Sequence, residues 1–166
     1  MSSWTRVILA VASTLFTCAA NAQETVFVIR HAEQEFTGAD PELRPKGTER
    51  AAYWARVLEP SGLDVVVTSD LRRSQRTGAI IAEGLALERL EFGKHDYKII
   101  VEYLRDNHPE DTILIVGHSG TISPLLREFG HSDRVSISKA DYGGLFIVTP
   151  IDDASPIVTR LKVDPQ

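Results

Sequence analysis

One stretch, Thr25-Val26-Phe27-Val28-Ile29-Arg30-His31-Ala32-Glu33, constrains this chain more than any other. A β-branched and aromatic run of this kind reads as a buried strand, and it stops abruptly at an arginine and a histidine. In an open α/β sheet, ligands sit just beyond the carboxyl ends of the strands, so Arg30 and His31 point chemistry into a crevice. Two later runs do the same. Asp64-Val65-Val66-Val67 leads into Thr68-Ser69-Asp70-Leu71-Arg72-Arg73, and Thr112-Ile113-Leu114-Ile115-Val116 leads into Gly117-His118-Ser119-Gly120.

Helical patterns lie between these runs. After a polar loop over 34–42, Leu43-Arg44-Pro45-Lys46-Gly47 opens a helix, with proline in the first turn where its missing N–H costs nothing. Ala51, Trp54, Ala55 and Leu58 recur at helical spacing, and Pro60-Ser61-Gly62 ends the pattern. Further helices are expected over 71–86, 95–107 and 121–129, while 87–94 is ambiguous, with a short extended connection as one reading. Leu145 to Thr149 and Ile157 to Leu161 read as two strands of an antiparallel edge hairpin. Strands alternating with helices predict an α/β fold, a three-layer αβα sandwich on a mostly parallel central sheet.

Residues 1–22 read differently. They carry one basic residue, Arg6, no acid, an apolar run from Val7, and then Ala20-Asn21-Ala22. This is the pattern of a secretory signal peptide, too short in its apolar part for a membrane span, with cleavage expected before Gln23. The working domain is then 23–166, in the periplasm or secreted, with no stable membrane span once the signal is removed. The chain has one cysteine, Cys18, which leaves with the signal, so neither a disulfide framework nor a thiol nucleophile is expected. A formal net charge of −5 without a basic run argues against nucleic acid as a partner. Nothing in the sequence fixes an oligomeric state.

The residues at the strand ends suit a phosphoryl group. Two arginines can grip its oxygens, and helix N-termini after the second and third runs add N–H donors. With no cysteine, no P-loop and no metal-ligand cluster, the nucleophile at hand is histidine; a neutral imidazole attacks phosphorus while its other nitrogen is held by a backbone carbonyl. No cofactor or metal is expected.

Four motifs carry a resemblance: Arg30-His31-Ala32-Glu33 after a strand, Leu43-x-Pro-x-Gly47, Ser69-x-Leu71-x-Arg73 with Thr77 behind it, and Gly117-His118-Ser119 after a strand. In this order and spacing the chain resembles the histidine phosphatase, or phosphoglycerate-mutase-like, superfamily. The resemblance implies an αβα sandwich, a transient phosphohistidine at His31, and a phosphate held by Arg30, Arg73 and His118, with Ser119 beside them. It implies hydrolysis of a phosphate monoester, a phosphorylated protein or an activated phosphate. Arg44 stands where the family commonly has threonine, and Gly78 where it commonly has alanine. The stretch from Ala86 to Asp96 is also too short for the cap that in many members carries the acid for the leaving group. Glu91, or its neighbours Glu88, His95 and Asp96, are the nearby candidates for that acid.

Two other readings compete. Gly-His-Ser-Gly on a strand-to-helix turn is similar to the nucleophile elbow of serine hydrolases, with Ser119 as nucleophile, although Thr121 replaces the second glycine and only His131 follows. A binding module that keeps the phosphate basket but has lost turnover is the rival from another class. His95, His108 and His131 are read as structural or exposed, Glu33 equally as an ion-pair partner, and Ser69 and Ser119 equally as helix caps.

Overall fold

The computed structural model describes residues 25–151 and 154–164; the expected signal peptide lies outside the described residues. Six strands and four α-helices follow in the order β1 (Val26–Arg30), α1 (Pro45–Leu58), β2 (Val65–Ser69), α2 (Arg72–Leu85), β3 (Glu88–Phe92), α3 (Tyr97–Asn107), β4 (Ile113–Gly117), α4 (Ile122–Glu128), β5 (Gly144–Ile151) and β6 (Ala154–Lys162). They build one six-stranded sheet in the order β3-β2-β4-β1-β5-β6. The first four strands of that order run parallel, and β5 and β6 pair antiparallel at the far side. No helix among the described residues is long and apolar enough to cross a membrane.

The period-2 alternation of each strand fills two separate cores. Val26, Val28, Val65, Val67, Ile113 and Ile115 pack with Ile100, Leu104 and Leu126, so α3 and α4 cover one face. Ile29, Val66, Leu114 and Val116 pack with Trp54, Leu58 and Ile81, so α1 and α2 cover the other. The αβα sandwich expected from the alternating pattern is the fold found.

Three boundaries differ from expectation, each for a physical reason. The stretch 87–94, ambiguous in the sequence, contains β3, which pairs in parallel with β2 from Val65↔Glu88 to Ser69↔Phe92. Glu88, Arg89 and Glu91 make up most of it, and an edge strand with a solvated face hides the apolar signal of a buried one. Helix α3 begins at Tyr97, not His95, because Gly93 and Asp96 close a turn: Gly93 N–H donates to Asp96 Oδ2 at 3.0 Å and Asp96 N–H to the Gly93 carbonyl at 3.0 Å. The hairpin is longer than the sequence indicates because Pro150 and Pro156 read as turn signals. Pro150 sits beyond Val148, where the pairing of β5 with β1 stops, and Pro156 lies in the edge strand β6, so neither deprives a central ladder of a donor.

Gly47, the third residue of α1, is placed by a close approach. A Cβ there would run into the backbone carbonyl of Glu33, which accepts the Arg44 N–H at 2.9 Å. Glycine thus lets the start of α1 lie directly on the backbone two residues past His31. Replacement G47A should push α1 off this loop and cost about 1–3 kcal/mol in a urea titration, the usual penalty of overpacking.

Candidate active site

The register of the central strands assembles the site. β1 and β4 pair with Arg30 opposite Gly117, and the His31 N–H donates to the Gly117 carbonyl at 2.9 Å. The residues that follow, His31 and His118, therefore emerge side by side, with ring centroids 5.0 Å apart. On the other flank of β4, Thr68 of β2 pairs with Val116, and Ser69 Oγ lies 2.8 Å from His118 Nε2. Both histidines are buried.

Each imidazole is held by one nitrogen. His31 Nδ1 lies 2.8 Å from the Ala32 carbonyl oxygen. A carbonyl only accepts, so Nδ1 carries the proton and Nε2 keeps its lone pair. Burial pushes the His31 pKa down to about 3 against the Ala32 carbonyl, which raises it, and the charges of Arg30, Arg73 and Lys94 push it the same way as burial. His118 is pushed down to about 2, by burial first and then by His31, Arg73, Lys94 and Arg30. Both rings are neutral at ordinary pH. Ser69 Oγ accepts the Leu71 N–H at 3.3 Å and pairs with His118 Nε2, and when the serine hydroxyl donates to Nε2 the proton of the neutral ring sits on Nδ1.

Helix α2 delivers the second arginine. Ser74 Oγ donates to the Val116 carbonyl at 2.7 Å and accepts the Ser69 N–H at 3.0 Å. Thr77 Oγ1 donates to the Arg73 carbonyl at 2.7 Å and accepts the Ala32 N–H at 3.0 Å. These two buried hydroxyls fasten the start of α2 across the ends of β1, β2 and β4, with Arg73 beside one of them. The neighbouring Arg72 is not in this role: its side chain is 59% exposed and pairs with Glu42, whereas that of Arg73 is 12% exposed.

Arg30 is spread over the segment before β5. Its Nη1 donates to the carbonyls of Lys139 at 2.5 Å and Asp141 at 3.3 Å, and its guanidinium lies 4.1 Å from the centre of the Tyr142 ring. Arg30 Nε, Arg73 Nε and His118 Nδ1 are buried without a hydrogen-bond partner among the described residues. Buried donors left unmade are costly, so three from one site amount to a basket for an anion.

Other expected residues lie elsewhere. The carboxylate of Glu91 accepts from Gln75 Nε2 of α2 at 2.7 Å, so the structure brings it to that helix and not to the paired histidines. Both Glu33 oxygens accept from Arg50 Nε at 2.9 Å, which makes Glu33 a buried ion-pair partner. Ser119 is half-buried in the turn after His118, and the length of α4 separates it from His131, so the two do not form a serine–histidine pair. Tyr142, whose ring centroid is 6.2 Å from that of His31, escaped the sequence reading, as did Asp40, whose Oδ1 is 3.3 Å from Arg73 Nη1. Neither sits in a periodic pattern, so composition and spacing gave no signal.

Comparison with known proteins agrees with this geometry. A family model described as the histidine phosphatase superfamily (branch 1) matches residues 26–92, which include Arg30, His31 and Arg73. Residues 26–92 therefore carry the pattern of the histidine phosphatase superfamily. Phosphoserine phosphatase 1 of Hydrogenobacter thermophilus is 31% identical over 103 residues, covering 52% of this chain and 47% of that protein. A probable phosphoglycerate mutase of Serratia proteamaculans is 36% identical over 70 residues, covering 38% of this chain and 33% of that protein. The chain thus spans between about a third and a half of the curated relatives it matches. Among solved structures, the protein histidine phosphatase SixA complexed with tungstate superposes with a TM-score of 0.67 at 17% identity, covering 83% of this chain and 96% of that one. A mycobacterial glucosyl-3-phosphoglycerate phosphatase in complex with VO3 gives 0.62 at 15% identity, covering 82% and 97%. At such identities the structural likeness is one of fold.

The lowered pKa values of His31 and His118 make folding stability depend on pH. Above about pH 6.5, the ordinary value, folded and unfolded chains both hold them neutral. As pH falls from there toward about 3, the unfolded chain takes up protons that the folded one refuses, so folding stability should drop through this window. NMR titration of the imidazole nitrogens should find His31 and His118 still neutral at pH 5 and the unfolding free energy lower there than at pH 7; titration of either ring near pH 6.5 would contradict this.

Proposed function

We propose that this protein is a phosphatase that works through a phosphohistidine on His31, hydrolysing phosphate monoesters, phosphorylated protein or activated phosphates. One observation carries the reading. The Ala32 carbonyl holds the proton on His31 Nδ1, which leaves Nε2 as a lone-pair nitrogen next to His118, with the buried Arg30 and the half-buried Arg73 beside it. Nε2 attacks phosphorus as the bond to the leaving oxygen breaks, and water then attacks the phosphohistidine and returns His31 to its neutral form. Arg30 and Arg73 offset the charge of the transferring group, and His118 Nδ1 donates to one of its oxygens. The relatives named as phosphoserine phosphatase and protein histidine phosphatase support the class.

Replacement H31A should abolish turnover and acid-labile labelling from a phosphate donor. Replacement H118A should slow turnover by about 10²-fold or more, as loss of one transition-state donor does, yet still yield label at His31. Rapid quench with peptide mapping checks both. Label on His118, or full activity of H31A, would refute the mechanism. A binding module without turnover would take up anion but never label.

We also propose export of this enzyme, with residues 1–22 as its signal peptide and the periplasm or the medium as its site of action. The sequence pattern supports this. Mass spectrometry of the exported fraction should show a chain beginning at Gln23, and an intact Met1 in that fraction would count against it.

A further inference from the structure

A phosphatase acting on poor leaving groups needs a proton for the departing oxygen, and the carboxylates around β3 are committed elsewhere. Glu91 is bound to Gln75, Asp96 accepts from the Gly93 N–H, and Asp70 Oδ1 accepts from the Lys94 N–H at 3.0 Å. Glu88 pairs with Val65, at the amino end of β2 and away from the strand ends that carry the histidines. His95 Nδ1 lies 2.7 Å from the Tyr97 hydroxyl. Asp40 is different. It belongs to the segment between β1 and α1, which is closed at its base by the antiparallel bridge Gln34↔Leu43 and by the Glu35 N–H donating to the Glu42 carbonyl at 2.8 Å.

This closed loop lays the Asp40 carboxylate on the start of α2. Its two oxygens each lie 3.2 Å from the Arg72 N–H, and Oδ1 lies 3.3 Å from Arg73 Nη1. The side chain is 33% exposed, so it meets solvent while touching the Arg73 guanidinium. Among the described residues Asp40 is the carboxylate in contact with that guanidinium.

We propose that Asp40 is the proton carrier of the reaction, an inference that rests on the phosphatase reading above. In the first step His31 Nε2 bonds to phosphorus, the phosphorus–oxygen bond breaks, and the leaving oxygen takes the proton from Asp40. In the second step the Asp40 carboxylate takes a proton from water as its oxygen bonds to phosphorus and Nε2 departs. Asp40 ends protonated again, and the sum is ester plus water giving alcohol plus phosphate. A purely structural Asp40 would act only as an acceptor for the Arg72 N–H, which has no helical partner in the first turn of α2.

The variants D40N and D40A separate the two roles, because asparagine keeps an acceptor for Arg72 and cannot carry the proton. D40N should melt close to the wild type and D40A lower. For D40N, kcat/KM toward a simple alkyl phosphate should fall by about 10²-fold or more, while that toward p-nitrophenyl phosphate changes by no more than about threefold, since nitrophenolate leaves without a proton. With the nitrophenyl ester, D40N should also show a burst of nitrophenolate and accumulate acid-labile phosphoprotein, because water attack has lost its base. D40E should recover part of the alkyl phosphate activity. Equal losses on both esters without accumulation, or no loss on either, would overturn the role of Asp40, and a D40N protein that fails to fold would make the D40E comparison decide. Wild-type protein that neither turns over the esters nor labels His31 is a different failure, which removes the phosphatase reading and this inference with it.

Discussion

The parallel pairing of β1 with β4 is the interaction on which the site depends. With Arg30 opposite Gly117, the two histidines leave adjacent strands at the same level. A slip of one residue would send one ring to the other face of the sheet, and a slip of two would part them by about 7 Å. The register is fixed lower down, where Val26, Val28, Ile113 and Ile115 fill one core and Ile29, Leu114 and Val116 the other. Apolar side chains of the two cores thus set the distance between His31 and His118.

Around this pair the charges are sorted. Arg30 and Arg73 face the site with buried, unbonded Nε atoms, while their outer nitrogens are met by the Lys139 and Asp141 carbonyls and by Asp40. Glu33, two residues from His31, is drawn away by Arg50, whose Nη2 lies 2.9 Å from Glu33 Oε1. A carboxylate loose among these arginines would compete with an anionic ligand for them. Burial does the remaining work, keeping both imidazoles uncharged.

Much of this was legible in the sequence. Strands β1, β2 and β4 are buried on both faces, so their apolar runs are continuous, and the polar residues that end them are conspicuous. That contrast singles out Arg30, His31 and His118 in the sequence, and the family resemblance of the motifs adds Thr77 and Gly47. The edge strand β3 was not legible, because a chain segment with one solvated face carries little hydrophobic pattern. Asp40 and Tyr142 were not legible for another reason. They reach the site on irregular segments, whose course depends on long-range contacts such as Asp40 with Arg72 and Arg30 with the Lys139 carbonyl. Glu91 was read from nearness in sequence, and the strand it lies on turns its carboxylate to α2.

The reach of Arg30 across Lys139, Asp141 and Tyr142 bears on how variants of this residue are interpreted. The same guanidinium that offers Nε to the basket ties down the segment joining α4 to β5. On the proposed function, removing it takes away a phosphate contact and an internal brace together, so a kinetic deficit at this position is a composite quantity. Lysine, with one nitrogen and no planar fork, cannot meet both obligations at once. The two contributions are separable only by altering the far end, at Tyr142, and asking whether the deficits add.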